Sequence, residues 1–261
     1  MSPATENARA TVAATLFTAK LLMRSRFSLI AAVLQPIVYA SITGFMFEAG
    51  ARERLTTGTM LGAAVMGSWT SVLFLAGGTL NWERRQGTLP FLVAAPVPLL
   101  AVAAGSCTAA ALLSLYSMAG SLALGALVFD VPLELAHPAL FVLATLVMIV
   151  SMSLLGLLLC GAFVLYRQAG MFTNMLEYPV WIVCGLLVPV STLSPGFAAL
   201  GALLAPRWAL DALRGAAMGG SSVWPGTAAC CGLGAAYAIG GAFLLRYAER
   251  QARVTATLHL R

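Results

Sequence analysis

The sequence predicts an all-α membrane protein, and three observations carry that prediction. Of its 261 residues, 60% are hydrophobic and only 9% charged, whereas a soluble domain carries about 25% charged residues to wet its surface. The mean hydropathy is +0.91. The apolar residues also fall in continuous runs of about 20, the length that crosses roughly 30 Å of hydrocarbon as a helix, without the alternation of a membrane-spanning strand.

Six windows meet that length: Ser28–Phe47, Gly58–Leu80, Leu99–Phe129, Pro138–Tyr166, Met171–Val190 and Thr227–Leu245. Among all charged side chains, only Glu177 lies inside one of them. The third and fourth windows exceed the span length, which predicts tilt or an extra turn beyond the membrane. The first window follows Arg24 and Arg26 and is too long for the apolar core of a cleaved leader, so it reads as a retained span. No linker or low-complexity segment divides the chain, which predicts one membrane domain over residues 1–261.

Residues 1–27 read as a cytoplasmic interfacial helix. Arg9, Lys20 and Arg24 fall within roughly 60° of one another at 100° per residue, a stripe suited to lipid headgroups, with Phe17 close beside it. A plain basic flank that only sets topology fits the same residues. Residues 81–98 hold the densest polar patch, Asn81-Trp82-Glu83-Arg84-Arg85-Gln86-Gly87-Thr88-Leu89-Pro90. A short helix there, ended by Pro96 and Pro98, would present charge and an apolar face to a partner; a solvated, topology-setting loop is the other reading.

Residues 191–225 are apolar but broken. Ser194-Pro195 reads as an N-cap followed by a first-turn proline, and Pro206 starts a second short helix. On it Arg207, Asp211 and Arg214 share one face. The stretch predicts a re-entrant or outer helical hairpin, tolerable at membrane depth only where protein packs against it or it lines a cavity. Small residues at four-residue spacing, Ser121 with Gly125 and Gly232 with Ala236 and Gly240, predict close helix approach, within the subunit or between subunits.

Charge sets the orientation. With six spans, eleven Lys and Arg residues fall on the side of both termini and four on the other. The positive-inside rule then places both termini in the cytoplasm of an inner membrane.

Several chemistries are excluded or weak. The only lysine, Lys20, is followed by Leu21, so no phosphate-binding P-loop exists. The cysteines Cys107, Cys160, Cys184, Cys230 and Cys231 lie in apolar runs, without Cys-x-x-Cys spacing or nearby histidine, and read as small buried hydrophobes. Neither His137 nor His259 has partners at metal-ligand spacing, and no metal site is expected. Asp130, Glu134 and His137 cluster between the third and fourth windows, where they would serve an intramembrane enzyme or simply form a solvated turn. A proton- or sodium-driven carrier would need several buried ionisable groups, and the windows offer Glu177 alone. With Asn174 a turn earlier, Glu177 either lines a cytoplasm-facing vestibule or sits at the interface beside Arg167.

Three tracts together resemble the permease family of type-2 ABC exporters. They are Glu83-Arg84-x-x-Gly87-Thr88-Leu89 followed by Pro96-Val97, then Gln35-Pro36 in the first window, and finally Asn174 … Pro179 … Gly185-Leu186-Leu187-Val188-Pro189 … Pro195 … Pro206 … Leu213-Arg214. The resemblance implies a membrane subunit, not itself an enzyme, that pairs with an identical or related permease around a shared pathway. A separate ATPase would bind ATP and Mg and dock on Glu83, Arg84, Arg85, Gly87, Thr88, Leu89 and Pro90. Gln35, Asn174 and Glu177 would line the pathway. Pro189, Pro195, Pro206, Arg207, Asp211 and Arg214 would build the outer hairpin capping it. Lipid is an expected partner and nucleic acid is not. Wholly apolar spans lean toward an amphipathic small molecule or lipid as substrate. A non-transporting membrane anchor for an ATPase fits the same sequence.

Overall fold

Helices form where the apolar runs are, and breaks form where glycine, proline or serine interrupts them. The computed structural model describes residues 3–49, 57–88, 91–92, 98–131, 133, 135–165, 169–187 and 190–255. Helix is the only regular secondary structure among these residues, with no strand. The elements are α1 (Pro3–Arg24), α2 (Arg26–Ala49) and α3 (Thr57–Ser71), which runs on as a π-helical turn (Val72–Ala76). They continue as α4 (Thr79–Gln86), α5 (Leu99–Val128), α6 (Pro138–Leu165) and α7 (Ala169–Val183). A 3-10 turn (Val190–Thr192), α8 (Pro195–Ala202), α9 (Ala205–Met218) and α10 (Val223–Thr255) complete the chain.

Among the described residues, four helical segments are long and apolar enough to cross a membrane: Thr57–Ala76, Leu99–Val128, Pro138–Leu165 and Val223–Gln251. The first window lies within α2, which carries Pro36 inside it. The fifth window departs from a single helix. α7 has 15 residues, about 22 Å at 1.5 Å per residue, and Gly185 at φ 73° turns the chain out of it. Glycine adopts that left-handed conformation without the steric cost other residues meet.

α3 is the central helix. Every residue from Thr57 to Ser71 except Thr59 is buried, and α2, α5, α7 and α9 pack around it. The Trp69 side chain, the bulkiest of the fully buried ones, sits here. The most extensive helix pair is α6 with α10. On α10 the face turned inward carries Cys230, Gly234, Tyr237, Gly241, Leu245 and Ala248, all buried. A Cβ at Gly241 would lie 2.9 Å from the Leu158 nitrogen and 3.0 Å from the Leu157 carbonyl carbon, so the backbones meet there without an intervening side chain. The contact row therefore differs from the expected one. Gly240 does approach Leu158, but Gly232 faces open space and Ala236 is exposed. At 100° per residue, 234 and 241 share a face that 232 and 236 do not. The other expected pair packs within the subunit: Ser121 is buried, and Gly125 lies against Met60.

Long-range bonds sort the elements between two ends. At one end α1 lies on the start of α5, with the Thr18 and Ser106 hydroxyls 3.2 Å apart and Gly105 beneath Thr11 and Ala14. Arg84 of α4 reaches the Val164 carbonyl at that same end. At the other end Arg214 of α9 donates to the Gly58 carbonyl at 2.9 Å. There the loop after α5 joins α9 through the Ala136 and His137 amides, which donate to Ala217 and Ala216.

Candidate functional site

Three helices bring a polar cluster together inside the apolar body. Tyr39 of α2, Thr70 of α3 and Glu177 of α7 are all buried. The Thr70 hydroxyl donates to Glu177 Oε1 at 3.0 Å, and the Tyr39 hydroxyl lies 3.1 Å from Thr70 Oγ1 and 3.4 Å from Glu177 Oε1. A phenol has one proton, so the shorter contacts define a relay from Tyr39 to Thr70 to the carboxylate. Glu177 pairs with no basic side chain among the described residues; both of its hydrogen-bond partners are neutral hydroxyls.

The helices are shaped around this cluster. Pro36 precedes Tyr39 by less than a turn, and Pro179 follows Glu177 by two residues. Each proline removes one backbone donor and bends its helix. Pro36 packs on Gly120 of α5, where a Cβ would come within 2.9 Å of its ring. Thr70 stands just before the π-helical turn, in which the Gly77 amide bonds back to the Val72 carbonyl at 3.0 Å. Such turns accompany functional sites in many helices. Aromatic rings continue the cluster along α7. Tyr39 meets Trp181 edge-on at 5.3 Å, and Trp181 meets Tyr178 edge-on at 5.1 Å. Trp181 is buried, with an indole N–H that has no partner among the described residues.

Of the pathway residues expected from sequence, Glu177 joins this cluster. Gln35 lies one turn before Tyr39 and is half-buried, while Asn174 is exposed. The interfacial alternative for Glu177 rested on Arg167, which lies outside the described residues; the side chain itself is buried. Tyr39, Thr70 and Trp181 were not singled out by sequence reasoning. Trp181 is four residues after Glu177 and Tyr39 four after Gln35, which places each on the face of a residue already singled out; nothing in the sequence marks Thr70.

The polar segment after α3 forms α4. Gly87, at φ 74°, caps it, and its amide bonds to the Arg84 carbonyl. The helix thus ends at the glycine, and Phe91 and Leu92 are helical again; Leu89, Pro90 and Pro96 lie outside the described residues. The Thr88 amide and hydroxyl both bond to the Glu83 carbonyl, at 3.0 and 3.1 Å, and the hydroxyl also contacts the Glu83 carboxylate. Arg84 turns inward to the last turn of α6, whose carbonyls lack intrahelical donors. Arg85 is exposed.

The expected short helices follow α7. Ser194 precedes α8 in extended conformation, Pro195 opens it, and Pro206 sits in the first turn of α9; Pro189 lies outside the described residues. The charged face of α9 points into the protein. Arg207 donates to the Ala198 carbonyl of α8 and lies 5.5 Å from the Trp208 ring. Asp211 stands between Arg207 and Arg214, its backbone carbonyl accepting from Ser222 at 2.8 Å. Tyr237 of α10 locks the junction of the two helices: its hydroxyl donates to the Leu203 carbonyl at 2.7 Å and accepts from the Ala205 amide at 3.1 Å.

The loop trio does not assemble a site among the described residues. Asp130 and His137 are both exposed, and Glu134 lies outside them. Four cysteines are buried as expected of small hydrophobes, but Cys231 is exposed, on the face of α10 turned away from α6.

A family model described as ABC-2 type transporter matches residues 9–218. A search of the curated proteins finds no match. The matched stretch runs from α1 to the end of α9 and includes the Tyr39–Thr70–Glu177 cluster, α4 and both short helices. Built of helices without strands among its described residues, apolar enough to cross a membrane in several places and matched over most of its length, the chain belongs to the ABC-2 type transporter family and is a membrane subunit of an ABC transporter.

Proposed function

We propose that the chain is the permease subunit of an ATP-driven exporter, with α2, α3, α5, α6, α7 and α10 as six spans and both termini in the cytoplasm of an inner membrane. The observation that carries this reading is the family match over residues 9–218. With no P-loop in the chain, ATP and Mg belong to a separate ATPase. Two copies, or this chain and a related one, would enclose the pathway for an amphipathic small molecule or lipid.

Geometry adds support. α4 is stiffly held at the end of the bundle that also carries α1, a position from which a docked ATPase can move α3 and α6 together. Arg85 is exposed there and available to a partner. α1 rests one face on α5 and exposes Leu16, Phe17, Lys20, Leu21 and Arg24, the mixed apolar and basic surface that suits a lipid interface. α8 and α9 stand at the opposite end as an outer hairpin over the pathway.

The test is reconstitution in proteoliposomes of the permease with and without a separate ATPase subunit. ATP-dependent movement of amphipathic dyes is expected only with both subunits. Hydrolysis by the purified permease alone would overturn the assignment of roles, and an assembled complex that hydrolyses ATP but moves no candidate solute would favour a non-transporting anchor.

A further inference from the structure

We propose that Glu177, Tyr39, Thr70, Tyr178 and Trp181 form a recognition site for an organic cation, such as an ammonium- or phosphonium-bearing amphipath. The inference rests on the exporter reading for its biological meaning and names the substrate class of that pathway. Its chemistry stands on the burial and partners of Glu177 and on the aromatic rings beside it. A carboxylate at membrane depth is costly and is normally matched by a partner or a cavity. Glu177 is 9% exposed, and among the described residues it has hydroxyl partners only.

The hydroxyl bonds converge on Oε1 alone, and Oε2 takes no hydrogen bond among the described residues. Hydroxyl donors hold the carboxylate in place without neutralising its charge. A mobile cation can therefore supply the missing charge, which a resident arginine would have blocked.

The aromatic rings supply the rest of a cation site. Ring faces attract cations, most strongly those of Trp and Tyr, and the attraction grows as water is removed. Tyr178 is 61% exposed, Trp181 is 5% exposed and Tyr39 is 7% exposed. With centroid spacings of 5.1 and 5.3 Å, the three rings form a continuous track from the surface of α7 to the buried carboxylate. Apolar surface suits the hydrophobic body of an amphipath, and the exposed Met175 and Ile182 flank the entrance on the same helix.

A purely structural reading competes: Glu177 would then be an acceptor that ties α7 to α2 and α3. Glu177→Gln separates the two, because an amide oxygen still accepts from Thr70 while the charge is gone. The experiment measures equilibrium binding to the full-length permease in nanodiscs of zwitterionic lipid, without nucleotide, with empty nanodiscs subtracted. The probes are tetraphenylphosphonium and tetraphenylborate, matched in size and opposite in charge. Saturable phosphonium binding is expected, with borate binding at least tenfold weaker. Glu177→Gln should weaken the phosphonium by about tenfold or more at an unchanged melting temperature, consistent with losing one desolvated charge partner. Trp181→Leu should weaken it by about threefold or more.

Equal phosphonium binding by Glu177→Gln and wild type overturns the proposal, as does borate binding as tightly as phosphonium or no saturable phosphonium binding at all. If Glu177→Gln fails to fold, Tyr178→Leu at the exposed entrance takes its place, and unchanged phosphonium affinity in that variant is equally fatal. Because no ATPase is present, the result is independent of the exporter reading. Cation binding without ATP-driven transport would sink that reading alone.

Discussion

The guanidinium of Arg84 donates to the backbone carbonyl of Val164, fastening α4 to the last turn of α6. One side chain thereby links the segment after α3 to a helix 80 residues further along the chain. A C-terminal helix turn favours such a cation, because its carbonyls are unpaired and carry the negative end of the helix dipole. Arg84 is therefore internal hardware, and Arg85 is the neighbour turned outward.

Arg84→Ala is expected to lower stability by about 1 kcal/mol, the value of a partly exposed charge-assisted bond. It should also reduce ATP-driven transport several-fold while the ATPase stays bound. Arg85→Ala should leave the melting temperature unchanged and weaken retention of the ATPase. Thermal melts, pull-down of the ATPase and transport on one preparation check both; identical behaviour of the two variants would remove the division of labour.

The second prediction uses the α6–α10 seam. Gly241→Ala drives a methyl into the Leu157–Leu158 backbone and should cost about 1–3 kcal/mol by overpacking. Gly232→Ala meets nothing within 4 Å and should be neutral or stabilising by up to about 1 kcal/mol through helix propensity. Melting temperatures in detergent decide between them, and a similar loss at both sites would place Gly232 in a subunit interface.

A third prediction concerns Arg214. Its Nε holds the Gly58 carbonyl at 2.9 Å, pinning α9 to the first turn of α3. Arg214→Ala removes that charge-assisted bond and the larger of the two basic influences on Asp211, and should cost about 1.5–3 kcal/mol. Arg214→Lys should recover only part of this, because an ammonium lacks the planar fork. Proteolysis at the α8–α9 segment offers a local readout alongside the melt.

Orientation gives the fourth prediction. In a background with all five cysteines replaced, Arg85→Cys and Ser221→Cys are both at exposed positions and at opposite ends of the bundle. A membrane-impermeant thiol reagent added outside intact cells should label Ser221→Cys and spare Arg85→Cys. Labelling of both from one side would overturn the six-span topology.

Much of the architecture was legible in one dimension. Continuous apolar runs fix where helices form, because a backbone in lipid must satisfy its own hydrogen bonds. Pro195 and Pro206 marked helix starts, since proline lacks only a donor that a first turn does not use. The end of α7 was misplaced: an apolar window counts side chains, whereas Gly185 ends the helix through its backbone.

The sequence by itself determined that this chain lives in lipid, is built of helices and carries one acid within its apolar windows. Tertiary structure alone decided what that acid touches. Tyr39 and Thr70 are 138 and 107 residues from Glu177, and no local period encodes such a meeting. Which of several small-residue rows on α10 faces α6 was decided the same way. Helical periodicity offers many equivalent faces, and only the shape of the neighbouring helix selects among them.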